Sequence, residues 1–169
     1  MQRTIYLFLL ILPILISLHA LSLKAQTIPA YIEENADQAQ YIMQNYGIPA
    51  SIVLAIAIHE SAAGTSKIAK HLNNHFGIKG PNTNKVIKSS YRDYPSVDSS
   101  FNHFADILKN RKHYNGLFDK YSPFDFKNWI YGIQRAGYAG SKLWASKVLA
   151  IIRKYKLNTY DHLPEASQH

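Results

Sequence analysis

The chain has no cysteine among its 169 residues. A disulfide scaffold and a thiolate zinc site are therefore excluded, and so is a cysteine nucleophile. It is also poor in acid: 11 Asp and Glu stand against 19 Lys and Arg, for a formal net charge of +8. Charged residues make up 18% and apolar residues 47%, which is too apolar for a disordered chain. No internal repeat and no low-complexity segment is visible. There is no Gly-x-Ser-x-Gly elbow and no phosphate-cradling glycine loop. Basic residues are mostly scattered, with a run at Arg153-Lys154-Tyr155-Lys156. We therefore expect no nucleic-acid partner. A basic domain of this kind suits an anionic surface or polymer, an attraction that salt would weaken.

No acid appears before Glu33. Arg3 gives a positive start, and Ile5 to Leu18 is apolar apart from Tyr6, Pro13 and Ser17. This is the pattern of a secretory signal peptide. Ala25 suits the last residue of the signal, although Leu23 replaces the usual small residue two positions earlier. An uncleaved anchor is the alternative, since the apolar run extends to Leu23 and a span needs about 20 apolar residues. We expect a signal peptide over 1–25, one domain over 26–162 and a polar tail over 163–169. Removing 1–25 takes away Arg3 and Lys24 and no acid, leaving +6 on 144 residues. That length suffices for one ordinary core. The expected location is the periplasm or cell surface, as a monomer with no stable membrane association after cleavage.

The domain reads as mainly helical. Ile32, Ala36, Ala39, Ile42 and Met43 recur at helical spacing, and Gly47 ends that helix. Pro49 begins the next, Ala50 to about Ala63, which is apolar on all sides and hence buried. Ser66 caps a short helix ending at Leu72. Asn73 to Asp93 is punctuated by Asn, Gly, Pro, Thr and Ser and predicts a loop with a small, weak hairpin. Ser96 caps a helix with Val97, Phe101, Phe104, Ile107 and Leu108 on one stripe. Ser122-Pro123 caps the next helix, which carries Phe126, Trp129, Ile130 and Ile133 and ends near Gly137. Ser141 opens the last, with Leu143, Val148, Ile151 and Ile152.

Glu60 is the anomaly, because it closes the apolar run of a buried helix. A carboxylate there is costly unless paired or protonated, and near a helix C-terminus the macrodipole disfavours negative charge. A carboxyl group held protonated is what a general acid needs. A buried Glu paired with Lys or Arg is the structural alternative. His59-Glu60 begins a zinc-protease helix motif, but position 63 is Ala where that motif needs His. Seven histidines follow the signal, and the pair at helical spacing, His71 and His75, straddles a helix end. We expect neither a metal site nor a cofactor. Among 12 tyrosines, Tyr138 follows Gly137 in a loop between two helices, where its ring can enter a cleft.

The run Ala55-Ile56-Ala57-Ile58-His59-Glu60-Ser61, followed by Gly64-Thr65-Ser66, resembles the catalytic-helix signature of bacterial cell-wall glucosaminidases. Asn73-Asn74-His75-Phe76-Gly77-Ile78-Lys79 resembles their Asn-Asn-x-Phe-Gly-Ile-Lys segment. Tyr91 to Val97, the block from Trp129 to Ala139, and the closing helix with Tyr160-Asp161 are similar to further blocks of the family, in the same order. By this resemblance the chain is identified as a member of glycoside hydrolase family 73. The resemblance implies a mainly α, lysozyme-like fold with a small β-hairpin lobe. It implies hydrolysis of the N-acetylglucosaminyl-β-1,4-N-acetylmuramyl bond of peptidoglycan glycan strands by a glucosaminidase catalytic domain over 26–162. Carried over by position, Glu60 is the general acid and Tyr138 the cleft tyrosine. Asn73, Phe76, Gly77, Tyr94 and Trp129 are expected to bind substrate.

Many members carry a second carboxylate between the Phe-Gly-Ile-Lys and Tyr-Arg blocks. Here Gly80 to Ser90 contains no Asp or Glu, and Asp93 is the nearest acid and the candidate second one. Three arrangements follow. The substrate N-acetyl group is the nucleophile, the reading we favour; or Asp93 swings in as a base; or the enzyme is weak or inactive. A lytic transglycosylase shares the single buried Glu, and a non-catalytic wall-binding module would dispense with the second carboxylate. A chitin-type substrate also fits these motifs.

Overall fold

The computed structural model describes residues 26–162. The signal segment expected over 1–25 and the polar tail over 163–169 lie outside the described residues. The elements are α1 (Ile28–Tyr46), α2 (Ala50–Ser61), α3 (Lys67–Leu72), α4 (Val97–Asn110), α5 (Lys112–Asn115), α6 (Leu117–Lys120), α7 (Phe126–Arg135) and α8 (Trp144–Tyr155). A short 3-10 turn, Leu157–Tyr160, follows α8. The expected mainly α fold is what forms.

α2 is the axis of the domain. Ala50 to Ile58 are all buried, and α1, α7, α8 and the closing 3-10 turn pack around the helix. Each fully buried Ile or Leu on it stabilises the fold by about 1.5–3 kcal/mol. Pro49 supplies no side-chain cap to this helix. The cap comes instead from the far end of the domain. The Asp161 carboxylate accepts from the Ser51 backbone N–H at 2.7 Å and from Ser51 Oγ at 2.6 Å. A carboxylate at a helix N-terminus satisfies donors that otherwise lack partners. Burial nevertheless raises its pKa above the usual carboxylate value, with the Ser51 bonds opposing.

The end of α2 is shaped to stop just past Glu60. Ala62, Ala63 and Gly64 all take the left-handed conformation, with φ of 52°, 52° and 76°. This costs a non-glycine residue roughly 1–2 kcal/mol. Ser61 offsets part of that cost: its Oγ donates to the Ala57 carbonyl at 2.6 Å and accepts from the Gly64 N–H at 2.8 Å. Gly64 must be glycine twice over, because a Cβ there would also sit 3.1 Å from the Tyr31 ring.

Three expectations need correction. The hairpin between Asn73 and Asp93 is reduced to one antiparallel bridge, Lys79 with Tyr91, flanked by bonds from Gly80 N to Ser90 O and Arg92 N to Ile78 O. The cause is competition from asparagine side chains. Asn84 Oδ1 accepts from the backbone N–H groups of Val86 and Ile87, and Asn82 Oδ1 accepts from that of Asn84, which turns the chain away from a ladder. Second, Asp125 rather than Ser122 caps α7, accepting from Asn128 N at 3.1 Å. Third, α8 begins at Trp144, and Leu143, expected on its buried stripe, is 63% exposed. The short helices α5 and α6 were not anticipated. Ser66 and Ser96 do cap α3 and α4, accepting from Ala69 N and Ser99 N.

Candidate active site

Glu60 stands on the last turn of α2, partly buried at the floor of a cleft of about 500 Å3. One wall is the segment Phe76 to Lys79. A second is formed by Ile107 of α4, Arg111, and His113 and Tyr114 of α5. Gly137, Tyr138 and Ala139, from the α7–α8 connection, close the third side. Glu60 is the one acid among the residues that line this cleft, and Lys79 and Arg111 are its permanent cations.

The carboxyl group of Glu60 is held from behind. The Trp144 indole N–H donates to its Oε1 at 2.8 Å. Trp144 is buried at the first position of α8, and the Tyr138 ring packs on it with centroids 5.2 Å apart. The other oxygen, Oε2, faces Gly77: a Cβ at that position would lie 3.8 Å from it. Gly77 has φ +63°, so a side chain there would be strained as well as close.

Tyr138 is fixed at both ends. Its hydroxyl donates to the Phe76 carbonyl at 3.2 Å. Its ring meets Phe104 and Tyr114 edge-on, at 5.9 and 6.4 Å between centroids. Burial, and then the nearby Glu60 charge, push its phenol well above the usual value. It therefore stays a neutral donor at any working pH. Tyr114 is buried beside it, and burial raises its phenol too.

Glu60, Phe76, Gly77 and Tyr138 thus line one cleft. Phe76 does so through its backbone, because its ring lies in the core, stacked on Phe104 at 4.2 Å and edge-on to Phe101 at 4.9 Å. The other expected site residues lie elsewhere. Trp129 is fully buried; its indole N–H donates to the Ser122 carbonyl at 3.0 Å and its ring packs on Phe118. It is a core residue rather than a cleft one. Asn73 is the left-handed C-cap of α3, and its Nδ2 holds the Tyr94 carbonyl at 2.9 Å. It lines a separate pocket of about 360 Å3 together with Tyr31, Glu34 and His75. The Tyr94 hydroxyl pairs with His103 Nδ1 at 2.7 Å, away from the cleft, and burial lifts its phenol to about 12. Asp93 is not among the cleft-lining residues. Its carboxylate accepts from Thr83 Oγ1 at 2.8 Å and Thr83 N at 2.9 Å, which lowers its pKa below the usual value.

Sequence reasoning missed Trp144, Tyr114, Arg111 and His113. A tryptophan six residues beyond Tyr138, at the head of an apolar stripe, was the signal for the first. His113 and Tyr114 sit on a helix too short to announce itself by periodicity, and Arg111 is its N-cap residue. Among the described residues no group of three His, Asp or Glu is placed to hold a metal ion. No helix among them is long and apolar enough to cross a membrane.

The glucosaminidase family model, described as mannosyl-glycoprotein endo-beta-N-acetylglucosaminidase, matches residues 36–157, well over half of the chain. The exo-glucosaminidase LytG of Bacillus subtilis is 29% identical over 152 residues, covering 79% of this chain and 53% of that protein. The peptidoglycan hydrolase FlgJ of Vibrio cholerae is 29% identical over 136 residues, covering 69% and 39%. The chain therefore spans about half, or less, of the length of these relatives. Among solved structures, the catalytic domain of the autolysin Auto from Listeria monocytogenes superposes with a TM-score of 0.66 at 27% identity, covering 86% of this chain and 93% of that one. The glycoside hydrolase domain of Salmonella typhimurium FlgJ shares the fold, with a TM-score of 0.63 at 20% identity, covering 79% and 91%. With the motif order, the helical fold and the family match in agreement, the chain belongs to the glucosaminidase family, glycoside hydrolase family 73.

Proposed function

We propose that this chain is an exported peptidoglycan hydrolase. It cleaves the N-acetylglucosaminyl-β-1,4-N-acetylmuramyl bond, and residues 1–25 direct its export. In this reading the loop segment 73–94 takes the place of the hairpin lobe of lysozyme-like enzymes. The observation that carries the reading is the single acid, Glu60, at the floor of a cleft whose walls supply no second carboxylate.

Glu60 protonates the glycosidic oxygen as the C1–O bond breaks. The acetamido oxygen of the same N-acetylglucosamine unit attacks C1, giving a cyclic oxazolinium, so one protein acid suffices. Water then attacks C1, and the Glu60 carboxylate takes its proton, which restores both the acetamide and the acid. Tyr138, kept neutral by burial, orients the acetamido group in this scheme. Lys79 and Arg111 make the cleft attractive to an anionic strand.

Digestion of purified peptidoglycan, wild type beside Glu60→Gln, with mass analysis of reducing ends, is the test. The expected products carry reducing N-acetylglucosamine, and the variant loses at least about 100-fold in rate. Anhydromuramyl ends would make the chain a transglycosylase. Wall binding without any product would make it a binding module.

A further inference from the structure

We propose that Trp144 is a positioning residue that reserves Oε2 of Glu60 for the reacting proton. The proposal rests on the reading of Glu60 as the acid and adds to it a choice between its two oxygens.

The indole N–H is a donor and never an acceptor. It points at Oε1 from 2.8 Å and is itself buried at the head of α8. A carbonyl oxygen accepts such a bond better than a hydroxyl oxygen does. While Trp144 holds Oε1, that atom remains the C=O of the protonated acid, and the proton resides on Oε2. Oε2 is the oxygen that faces Gly77, itself a cleft-lining residue. A tyrosine or histidine at position 144 could accept as well as donate, and would leave the two oxygens equivalent. The ring is kept from rotating away by Tyr138, packed at 5.2 Å, whose own hydroxyl is tied to the Phe76 carbonyl. The acid and the cleft tyrosine thus share one support, the Trp144 indole.

The chain has two tryptophans, which makes the idea directly visible. In the 15N-labelled protein the indole N–H signals of Trp144 and Trp129 are followed from pH 3 to 8 by NMR, about five units being needed to bracket a carboxyl titration. The Trp144 signal is expected to move through one titration in the wild type and to stay flat in Glu60→Gln. The Trp129 indole, bonded to the Ser122 carbonyl, is expected to stay flat in both. Lys79, Arg111, His113, Tyr114 and Tyr138 line the same cleft and His59 adjoins Glu60 in sequence; the comparison with Glu60→Gln separates any effect of theirs. A Trp144 signal that ignores pH, or that titrates equally in Glu60→Gln, overturns the proposal.

The kinetic arm uses Trp144→Phe, which keeps a ring and removes the N–H. On wall fragments kcat is expected to fall about tenfold, the upper scale of one lost neutral hydrogen bond, with KM within about twofold. A wild-type kcat, or a loss confined to KM, also overturns it. Should Trp144→Phe fail to fold, the NMR comparison decides alone, with Trp129→Phe supplying the assignment. Absence of glycosidase activity in the wild type would sink the functional reading and leave the indole titration standing as a separate result.

Discussion

The two sides of the cleft are held by different forces. The Glu60 side is packed: α2 is buried from Ala50 to Ile58, and the acid is the first residue to emerge from that core with a charge. The side formed by residues 73–94 has little apolar content and is held by asparagine. Asn74, 1% exposed, donates through Nδ2 to the carbonyls of Ile78 and Arg92, both at 2.8 Å, and accepts from Ile78 N at 3.1 Å. It does the work of a strand ladder from inside the loop. Packing fixes a group by volume, while hydrogen bonds fix it by direction. The acid therefore sits where packing leaves its position least adjustable, and the wall opposite is held by directed bonds.

Ile56→Ala puts the largest strain on this contrast. Ile56 is fully buried on α2 one turn before Glu60. The substitution is expected to cost about 2–5 kcal/mol of global stability, read as a lower midpoint in chemical denaturation. Asn74→Ala should act differently. It leaves the Ile78 N–H and two carbonyls without their partner, at about 1–3 kcal/mol for an orphaned buried group. Amide exchange should accelerate at Ile78, Gly80 and Arg92 while the α2 amides stay protected. Equal acceleration in α2 would mean that the two sides form one cooperative unit.

The packed side was the legible one. An unbroken apolar run, a glycine stop and serine caps are local signals, and α1 to α4 follow from them. The asparagine-held side was not legible as geometry. Asn74 reads in sequence as a turn former, and only the fold shows that its amide spans two segments. The site divides the same way. Glu60 stood out because a charge ends an apolar run. Trp144 did not, because a tryptophan at the head of a stripe looks like any core residue until its N–H finds a partner 84 positions away. Trp129 shows the converse: the resemblance placed it among the substrate-binding residues, while its indole serves the Ser122 carbonyl inside the core.

The hydrogen-bonded side should also carry a pH dependence. His75 is buried, with Nδ1 paired to the Tyr31 hydroxyl, and burial lowers its pKa from the ordinary 6.5 to about 4. Below 6.5 the unfolded chain takes up a proton that the folded one refuses. The stability tied to neutral His75 is thus complete above pH 6.5 and is lost progressively down to about pH 4. Denaturation midpoints across that window should fall more steeply for the wild type than for His75→Gln. Parallel slopes would assign the acid sensitivity to carboxylates elsewhere.

Asp93→Asn should have the smallest effect, and it bears most on mechanism. Asp93 belongs to the hydrogen-bonded side, and both bonds to Thr83 hold its carboxylate on that loop rather than in the cleft. These bonds favour the charged form, so the group is a poor proton donor near neutral pH. Recruiting it as the base would require breaking both bonds and bringing a bare carboxylate to the cleft. If the substrate acetamido group is the nucleophile, none of that is needed. The variant should then hydrolyse peptidoglycan within about twofold of the wild type, the range of an ordinary surface change. A general base, by contrast, accounts for about 100-fold or more. A loss of that size in kcat, with stability unchanged, would show that the loop wall moves in to supply the second carboxylate. Catalysis would then be shared between the two sides: the packed side would hold the acid, and the hydrogen-bonded side would supply the base.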